Sequence, residues 1–309
     1  MPLSPHTNVF AGNPLDRAAD RRLDADWLAG RLDDPNSSAV AVWNGQLLLG
    51  PETQSPRRLA LIPASLARGV AGGEEHLLFL GLTPEGEAMF AVDIDGAADP
   101  AEGPLRGLGA FGELRANVAR MAIEDAAISA TAKAVFEWRR RHRYCSNCGQ
   151  PSEVAEAGWK RICPACKGEH FPRTDPVVIM LPACGDRCLL GRAARFPPGW
   201  YSCLAGFMEP GESIEEACAR ELMEESGLKA LSVRYHSAQP WPYPSSLMIG
   251  LIAEVAEGEA TPDETELESV RWFTRAETLA LLAGELEGLG CPPPFAVAHQ
   301  LIKAWAEGG

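Results

Sequence analysis

Residues 206 to 228 constrain this chain more tightly than any other stretch: Gly-Phe-Met-Glu-Pro-Gly-Glu-Ser-Ile-Glu-Glu-Ala-Cys-Ala-Arg-Glu-Leu-Met-Glu-Glu-Ser-Gly-Leu. Ile214, Ala217, Cys218 and Leu222 recur at helical spacing, so Ser213 to Ser226 reads as an amphipathic helix that lays an apolar stripe on a sheet. Gly227 then stops it in a left-handed conformation, and Gly206 and Gly211 let the backbone fold tightly ahead of it. Glu221, Glu224 and Glu225 stand at i, i+3 and i+4 and share one helical face. Three carboxylates that close repel each other. A solvated helix would intersperse Lys or Arg there, whereas a hard cation such as Mg²⁺ takes oxygen ligands and removes the penalty. Arg220, beside the patch, suits a bidentate pair with Glu212 that pins the preceding loop to the helix.

The cysteines supply a second constraint. Cys145-x-x-Cys148 and Cys163-x-x-Cys166, fourteen residues apart, can close a tetrahedron of thiolates around one Zn²⁺ per chain. Four protein sulfurs leave no open coordination position, so this zinc is expected to be structural. The total of nine cysteines is odd, which does not suit a disulfide framework. Cys184, Cys188, Cys203, Cys218 and Cys291 sit mostly among apolar neighbours and read as buried thiols. From Arg139 to Arg173 eight Lys/Arg stand against three acids. Two readings of that excess stay open: a patch facing an anion, or compensation for a helix end and a thiolate cluster.

A chain of 309 residues has room for about two domains, and no apolar run approaches the roughly 18 residues of a membrane span. The formal charge of −14 argues against non-specific binding to nucleic acid or anionic membrane. Met1 to Gly12 has no secretory pattern and the last four residues are no peroxisomal address, so a cytoplasmic location is expected. Ser38–Trp43 and Gln46–Leu49 flank Asn44-Gly45, a hairpin signal, and His76–Gly81 and Glu87–Asp93 suggest a second strand pair. Helical spacing from about Gly112 to His142 predicts a bridge to the cysteines. Strands are predicted at 176–182, 188–191, 231–235 and 247–255, and the stretch rich in Pro and Gly from Pro197 to Gly211 reads as a loop. Both halves look α+β. No internal repeat is visible in the sequence, which leaves a structural duplication open.

Residues 206–228 resemble the Nudix signature at every fixed position: Gly, five residues, Glu, seven residues, Arg-Glu-aliphatic, any, Glu-Glu, any, Gly-aliphatic. With the patterns above, the chain reads as α+β with domains at 1–138 (an N-terminal α+β domain with the helical bridge), 139–173 (zinc ribbon) and 174–309, for which the resemblance implies a Nudix α/β/α sandwich. The same resemblance implies hydrolysis of a nucleoside diphosphate linked to another group. Glu221 and Glu225 would be the main ligands of several Mg²⁺ or Mn²⁺ ions, with Glu224 assisting and the Ala205 carbonyl adding a backbone ligand. Glu225 or Glu224 would accept the proton from water.

Downstream, Gln239-Pro240-Trp241-Pro242-Tyr243-Pro244-Ser245-Ser246 is stiffened by three alternating prolines, which hold two aromatic rings in set directions. Taken alone it reads as an edge segment packed by its aromatics. It is similar, however, to an array found in the NADH pyrophosphatase branch of Nudix enzymes, with Ala238 in place of Ser and Tyr243 in place of Phe. By that likeness Gln239 through Ser246 would line a nicotinamide-nucleotide pocket, Phe171 would stack on a base, Glu266 would be a further metal ligand and Ala298 a backbone contact to substrate. Gly158 stands where some relatives carry an acid, and Arg115 is a candidate for substrate phosphate. The branch implies cleavage of NADH or NAD⁺ to nicotinamide mononucleotide and AMP, removal of NAD caps from RNA, and a homodimer. Competing readings are a Nudix hydrolase for ADP-ribose or another dinucleotide, and a non-catalytic zinc-ribbon protein that holds nucleotide or RNA ends.

Overall fold

The computed structural model describes residues 8–308. The expectations about Met1 to Gly12 and about the final residues lie partly outside the described residues. The chain divides into two compact units. One comprises Phe10–Thr174 with Trp241–Ser245; the other comprises Asp175–Pro240 and the chain from Ser246 onward, with Asn8 and Val9 joined to it.

In the first unit, helix α1 (Ala25–Asp33) precedes β1 (Ser38–Trp43) and β2 (Gln46–Leu49), which meet across Asn44 and Gly45 at φ 50° and 75°, as the hairpin signal predicts. β3 (Ile62–Pro63), α2 (Ala64–Val70), β4 (Leu77–Leu82), β5 (Ala88–Ile94) and β6 (Ala110–Gly112) follow. The sheet runs β4-β5-β1-β2-β6, with β3 paired to β1. Its core gathers Ala39, Ala41, Phe79, Phe90 and Val92 against Leu32 of α1 and Ala64 and Ala67 of α2.

The predicted helical bridge is broken. A short α3 (Leu114–Asn117) and a 3-10 turn end at Met121, and α4 (Ile123–Arg141) starts afresh. The cause is a backbone exchange with Arg57: its N–H donates to Arg120 O at 2.7 Å, and the Ala122 N–H donates to Arg57 O at 3.1 Å. Peptide groups used sideways in this way cannot also serve a helix ladder. The ribbon that follows is a sheet of β7 (Glu153–Ala155), β8 (Lys160–Ile162) and β9 (Glu169–His170).

The second unit is built on β10 (Asp175–Cys184), β11 (Arg187–Arg192), β12 (Leu204–Phe207), β13 (Ala230–Trp241), β14 (Ser246–Val255) and β15 (Ser269–Thr274). Along β10, Val178 and Met180 enter the core under α5 (Ile214–Ser226), while Ile179 and Leu181 enter the core under α6 (Arg275–Ala283) and α7 (Val297–Ala306). Period-two alternation thus feeds both faces of one sheet, which is what an α/β/α sandwich requires. β12 lies inside the stretch read as a loop, and β13 runs through Gln239 to Trp241, further than its apolar signal.

The sheet order here is β13-β14-β10-β11-β15, with β12 paired to β10. Strand for strand, this repeats the first unit. β1/β5 and β10/β14 are the parallel pairs, and β1/β3 and β10/β12 the antiparallel side pairs. α2 follows β3 as α5 follows β12, yet α2 (Ala-Ser-Leu-Ala-Arg-Gly-Val) carries no acid. The duplication left open by the sequence is therefore present in the topology.

Candidate active site

The site is assembled on α5. Ser213 caps its first turn by accepting from the Glu216 N–H, and the Glu216 carboxylate accepts from the Ser213 N–H, a reciprocal capping box. Gly227 closes it at φ 69°. Ala217, Cys218 and Leu222 are fully buried and Ile214 packs beside them, as the stripe predicts. Glu221, Glu224 and Glu225 lie on another face of the helix. Glu221 and Glu225 are buried, at 8% and 5% exposure, while Glu224 is exposed.

Three neighbours set the geometry of these acids. Gly206 on β12 is one: a Cβ there would fall 1.9–2.1 Å from the carboxylate atoms of Glu221, so only glycine leaves the acid its place. Ala205, one residue earlier, donates its N–H to Glu225 Oε2 at 3.1 Å. The third is the 261–267 turn, which docks on the end of α5. Thr261 N–H donates to Ser226 O at 2.9 Å and Asp263 N–H to Glu225 O at 3.4 Å, answering carbonyls that the helix leaves open. That docking carries Glu266 to the patch, where its charge acts on both Glu221 and Glu225.

Arg220 forms the expected fork with Glu212, Nε to Oε1 at 2.5 Å and Nη2 to Oε2 at 2.9 Å, which holds Glu212 down to about 2. Nη2 also donates to Phe207 O, so loop, strand and helix are tied at one guanidinium. Its Nη1 reaches further than the sequence suggests, donating to Glu221 at 2.8 Å and Glu224 at 2.9 Å. Part of the acidic charge is thus answered from within the chain. Glu225 gets no arginine fork: burial first, then Glu221, push its carboxyl up to about 8 against the opposing pull of the Ala205 N–H and Arg195.

Among the described residues, the four cysteines are the only group of three or more candidate ligands whose donor atoms all lie within 4.8 Å of one another. Sγ of Cys145 is 3.5 Å from that of Cys166, and Sγ of Cys148 is 3.5 Å from that of Cys163. A tetrahedron with Zn–S bonds of ~2.3 Å has edges of ~3.8 Å, so the donor set fits zinc. The glutamates are set more widely, with Arg220 drawn in among them. Their chemistry, all-oxygen and partly buried with one member under charge strain, still fits a hard divalent cation.

The remaining predicted residues fall in separate places. Phe171 is exposed on the first unit, with Lys160 Nζ 5.3 Å from its ring. Trp241 and Tyr243 stack edge-on at 5.4 Å, and Phe10 meets both at 5.9 and 6.2 Å. Arg115 and Lys133 lie 5.8 and 6.0 Å from the Tyr243 ring. Ala298 is buried in α7, its carbonyl facing the Cys203 thiol. Gly158 is filled by Arg139, whose Nη2 would lie 1.4 Å from a Cβ, so an acid there would displace that arginine. Most of the basic segment is spent internally: Arg139 donates to the carbonyls of Gly158, Glu75 and Leu77, Arg140 and Arg141 pair with Glu137, and Lys160 pairs with Glu156 and Glu169.

Gln239 is placed unexpectedly. It is fully buried with both ends of its amide engaged: Nε2 donates to Val9 O at 3.1 Å and Phe295 O at 2.7 Å, and Oε1 accepts from Val297 N–H at 2.8 Å. Asn8 adds to this fastening through Ser237 Oγ and Ala238 O, both at 2.9 Å. Sequence reasoning missed Asn8, since nothing local marks a contact 229 residues away. Gln239→Leu should cost about 2–5 kcal/mol, because the groups it leaves unpaired are buried. Urea titration checks this; a pure substrate contact would instead raise KM and leave the midpoint alone.

A sandwich in this strand order, with this helix beneath this glycine, defines a Nudix domain. Family models agree along the chain: NADH pyrophosphatase-like rudimentary NUDIX domain over 36–138, NADH pyrophosphatase zinc ribbon domain over 140–171, and NUDIX domain over 172–288. An NAD-capped RNA hydrolase of Macaca fascicularis is 38% identical over 96% of this chain and 73% of its own. An NAD-capped RNA hydrolase of Chromobacterium violaceum is 36% identical over 85% and 89%. A mitochondrial NAD(P)H pyrophosphatase of Mus musculus is 39% identical over 75% and 72%. The chain belongs to the NADH pyrophosphatase family of Nudix hydrolases. "Rudimentary" suits the first unit, whose α2 lacks every acid of α5.

Proposed function

We propose that the chain hydrolyses the diphosphate of NADH or NAD⁺ to nicotinamide mononucleotide and AMP, and removes NAD caps from RNA by the same cut. The observation that carries this is the complete glutamate helix seated under Gly206, with Glu225 buried and high in proton affinity. The names of the relatives, NAD-capped RNA hydrolases and an NAD(P)H pyrophosphatase, select the substrate class.

In this reading Glu221, Glu225, Glu266 and the Ala205 carbonyl hold Mg²⁺ or Mn²⁺. Bound there, such ions would neutralise the diphosphate and acidify water. The chain's own groups do the rest. Glu225, whose burial favours its protonated form until bound cations would ionise it, is the carboxylate assigned to take the proton from water, whereas the exposed Glu224 is already paired with Arg220. Arg220 keeps Glu212, Phe207 and Glu221 in fixed relation as charge changes around them. A water oxygen bonds to one phosphorus, the bridging P–O bond breaks, and each product leaves with one phosphate. The reading includes Phe171 and the Gln239–Ser246 array as substrate contacts, with Gln239 acting through the turn before Ala298. A homodimer and a cytoplasmic setting belong to it as well.

Chromatography of products from NADH, with and without Mg²⁺, tests the reaction. Expected are reduced nicotinamide mononucleotide and AMP, only with metal, and a kcat/KM for NADH above that for ADP-ribose. Metal-independent binding without cleavage would overturn it.

A further inference from the structure

We propose that Arg17 and Arg22, gathered around Trp159 at the mouth of a small cavity, form a separate anion site that takes a phosphate group. Arg17 precedes a short 3-10 segment, Ala19–Leu23, and Arg22 lies within it, five residues on. Their guanidinium carbons lie 5.5 and 4.1 Å from the centre of the same indole ring, that of Trp159. Trp159 is itself fixed, its Nε1 donating to Phe79 O at 2.7 Å. Two like charges converge on one ring although each would be less strained apart.

A cavity of about 280 Å³ opens beside them, with Arg173, Thr131 and Ala134 on its wall and no acidic residue lining it. That volume falls just short of the ~300–1,000 Å³ usual for small-molecule pockets, which suits a phosphate with its adjoining sugar rather than a whole dinucleotide. Arg17 donates from Nη2 to Thr131 Oγ1 at 3.3 Å, yet its Nη1 and the Nε of Arg22 are buried with no hydrogen-bond partner among the described residues. Glu156, which acts on Arg22, is held by Lys160 at 2.8 Å. Burial draws both arginines below their usual pKa, and Arg17 lowers Arg22 further. In a chain of net charge −14, two arginines that each keep a buried N–H without an acceptor form an arrangement that an incoming anion would resolve.

Guanidinium groups match phosphate oxygens in bidentate geometry. The phosphate could belong to an RNA strand or to a free nucleotide or ion. The strand source rests on the cap-removal reading above; the site itself does not, and NADH product analysis tests that reading separately.

The experiment uses the zinc-loaded full chain without Mg²⁺. A fluorescently labelled six-nucleotide RNA is titrated by anisotropy over a salt series, and inorganic phosphate by ³¹P line broadening. Two variants are compared with wild type: R17Q/R22Q, and A134E, which places a carboxylate on the cavity wall as an internal competitor. The expected result is at least a tenfold loss of probe affinity in both. For RNA, the slope of log K against log salt should fall by about 0.7 for each phosphate released. Loss confined to RNA assigns the strand as source; loss confined to inorganic phosphate assigns the free anion. Should R17Q/R22Q fail to fold by circular dichroism, A134E decides alone, because glutamate is a good helix former at a position in α4. Wild-type affinity for both probes in the folded variants overturns the proposal.

Discussion

Glu225→Gln should lower kcat for NADH by roughly a thousandfold while the chain stays folded. Glutamine keeps an oxygen for the Ala205 N–H and fills the same volume, so the packing under α5 survives. It removes the one carboxylate on the patch that combines burial with a proton affinity pushed up to about 8. A second effect follows from the same displacement. The unfolded chain releases this proton near the ordinary carboxylate value, ~4.5, whereas the metal-free folded chain holds it to about 8. Between those limits the folded state carries the extra proton, so wild-type stability falls as pH rises through that window, by an amount on the order of a few kcal/mol. The glutamine variant lacks that slope. In Mg²⁺-free buffer it should therefore melt several degrees higher than wild type at pH 8.5 and close to it at pH 4.5. Equal turnover, or equal melting at both pH values, would remove Glu225 from the centre of this site.

What was legible in the sequence was what is encoded locally. The stripe Ile214, Ala217, Cys218, Leu222 and the stop at Gly227 define α5 within one turn of chain. The Asn44-Gly45 turn defines β1 and β2, and two Cys-x-x-Cys pairs define the ribbon. β12 was hidden because Leu204–Phe207 has only four residues between Pro/Gly stretches, and it becomes a strand by pairing with β10. The break at Met121 was invisible because its cause, Arg57, lies more than sixty residues earlier. The duplicated topology left no repeat in the sequence, since α2 and α5 share a place in the sheet order but no side-chain chemistry. Gln239 illustrates the limit for sites: a motif position says which residue matters, while its fully engaged amide says that it fastens Val9, Phe295 and Val297. Arg220 was read as one salt bridge and serves four groups, because only coordinates show where its remaining donors point.

Cys163→Ser should empty the zinc site and unfold the ribbon while the α/β/α sandwich persists. The ribbon has little else to hold it. Its strands are three, three and two residues long, and hardly any of its apolar side chains beyond Cys145 and Cys163 are buried. A segment that cannot bury a core depends on its metal, and zinc binding by comparable small sites is worth about 10–16 kcal/mol, more than such strands supply. Cys163 is the severest position because its sulfur is fully buried and held down to about 7 by the Cys166 N–H, poised to bind as thiolate. A serine hydroxyl there ionises far above neutral pH and leaves three thiolates crowded without a fourth ligand. The expected readouts are zinc falling from one per chain toward none by elemental analysis, and new protease cuts between residues 143 and 170. Cuts should stay absent from β10–β15, whose two cores do not include the ribbon cysteines. A zinc-free variant whose ribbon resists protease as wild type does would mean that strand pairing and the buried Arg161 contacts to Ser152 suffice without metal.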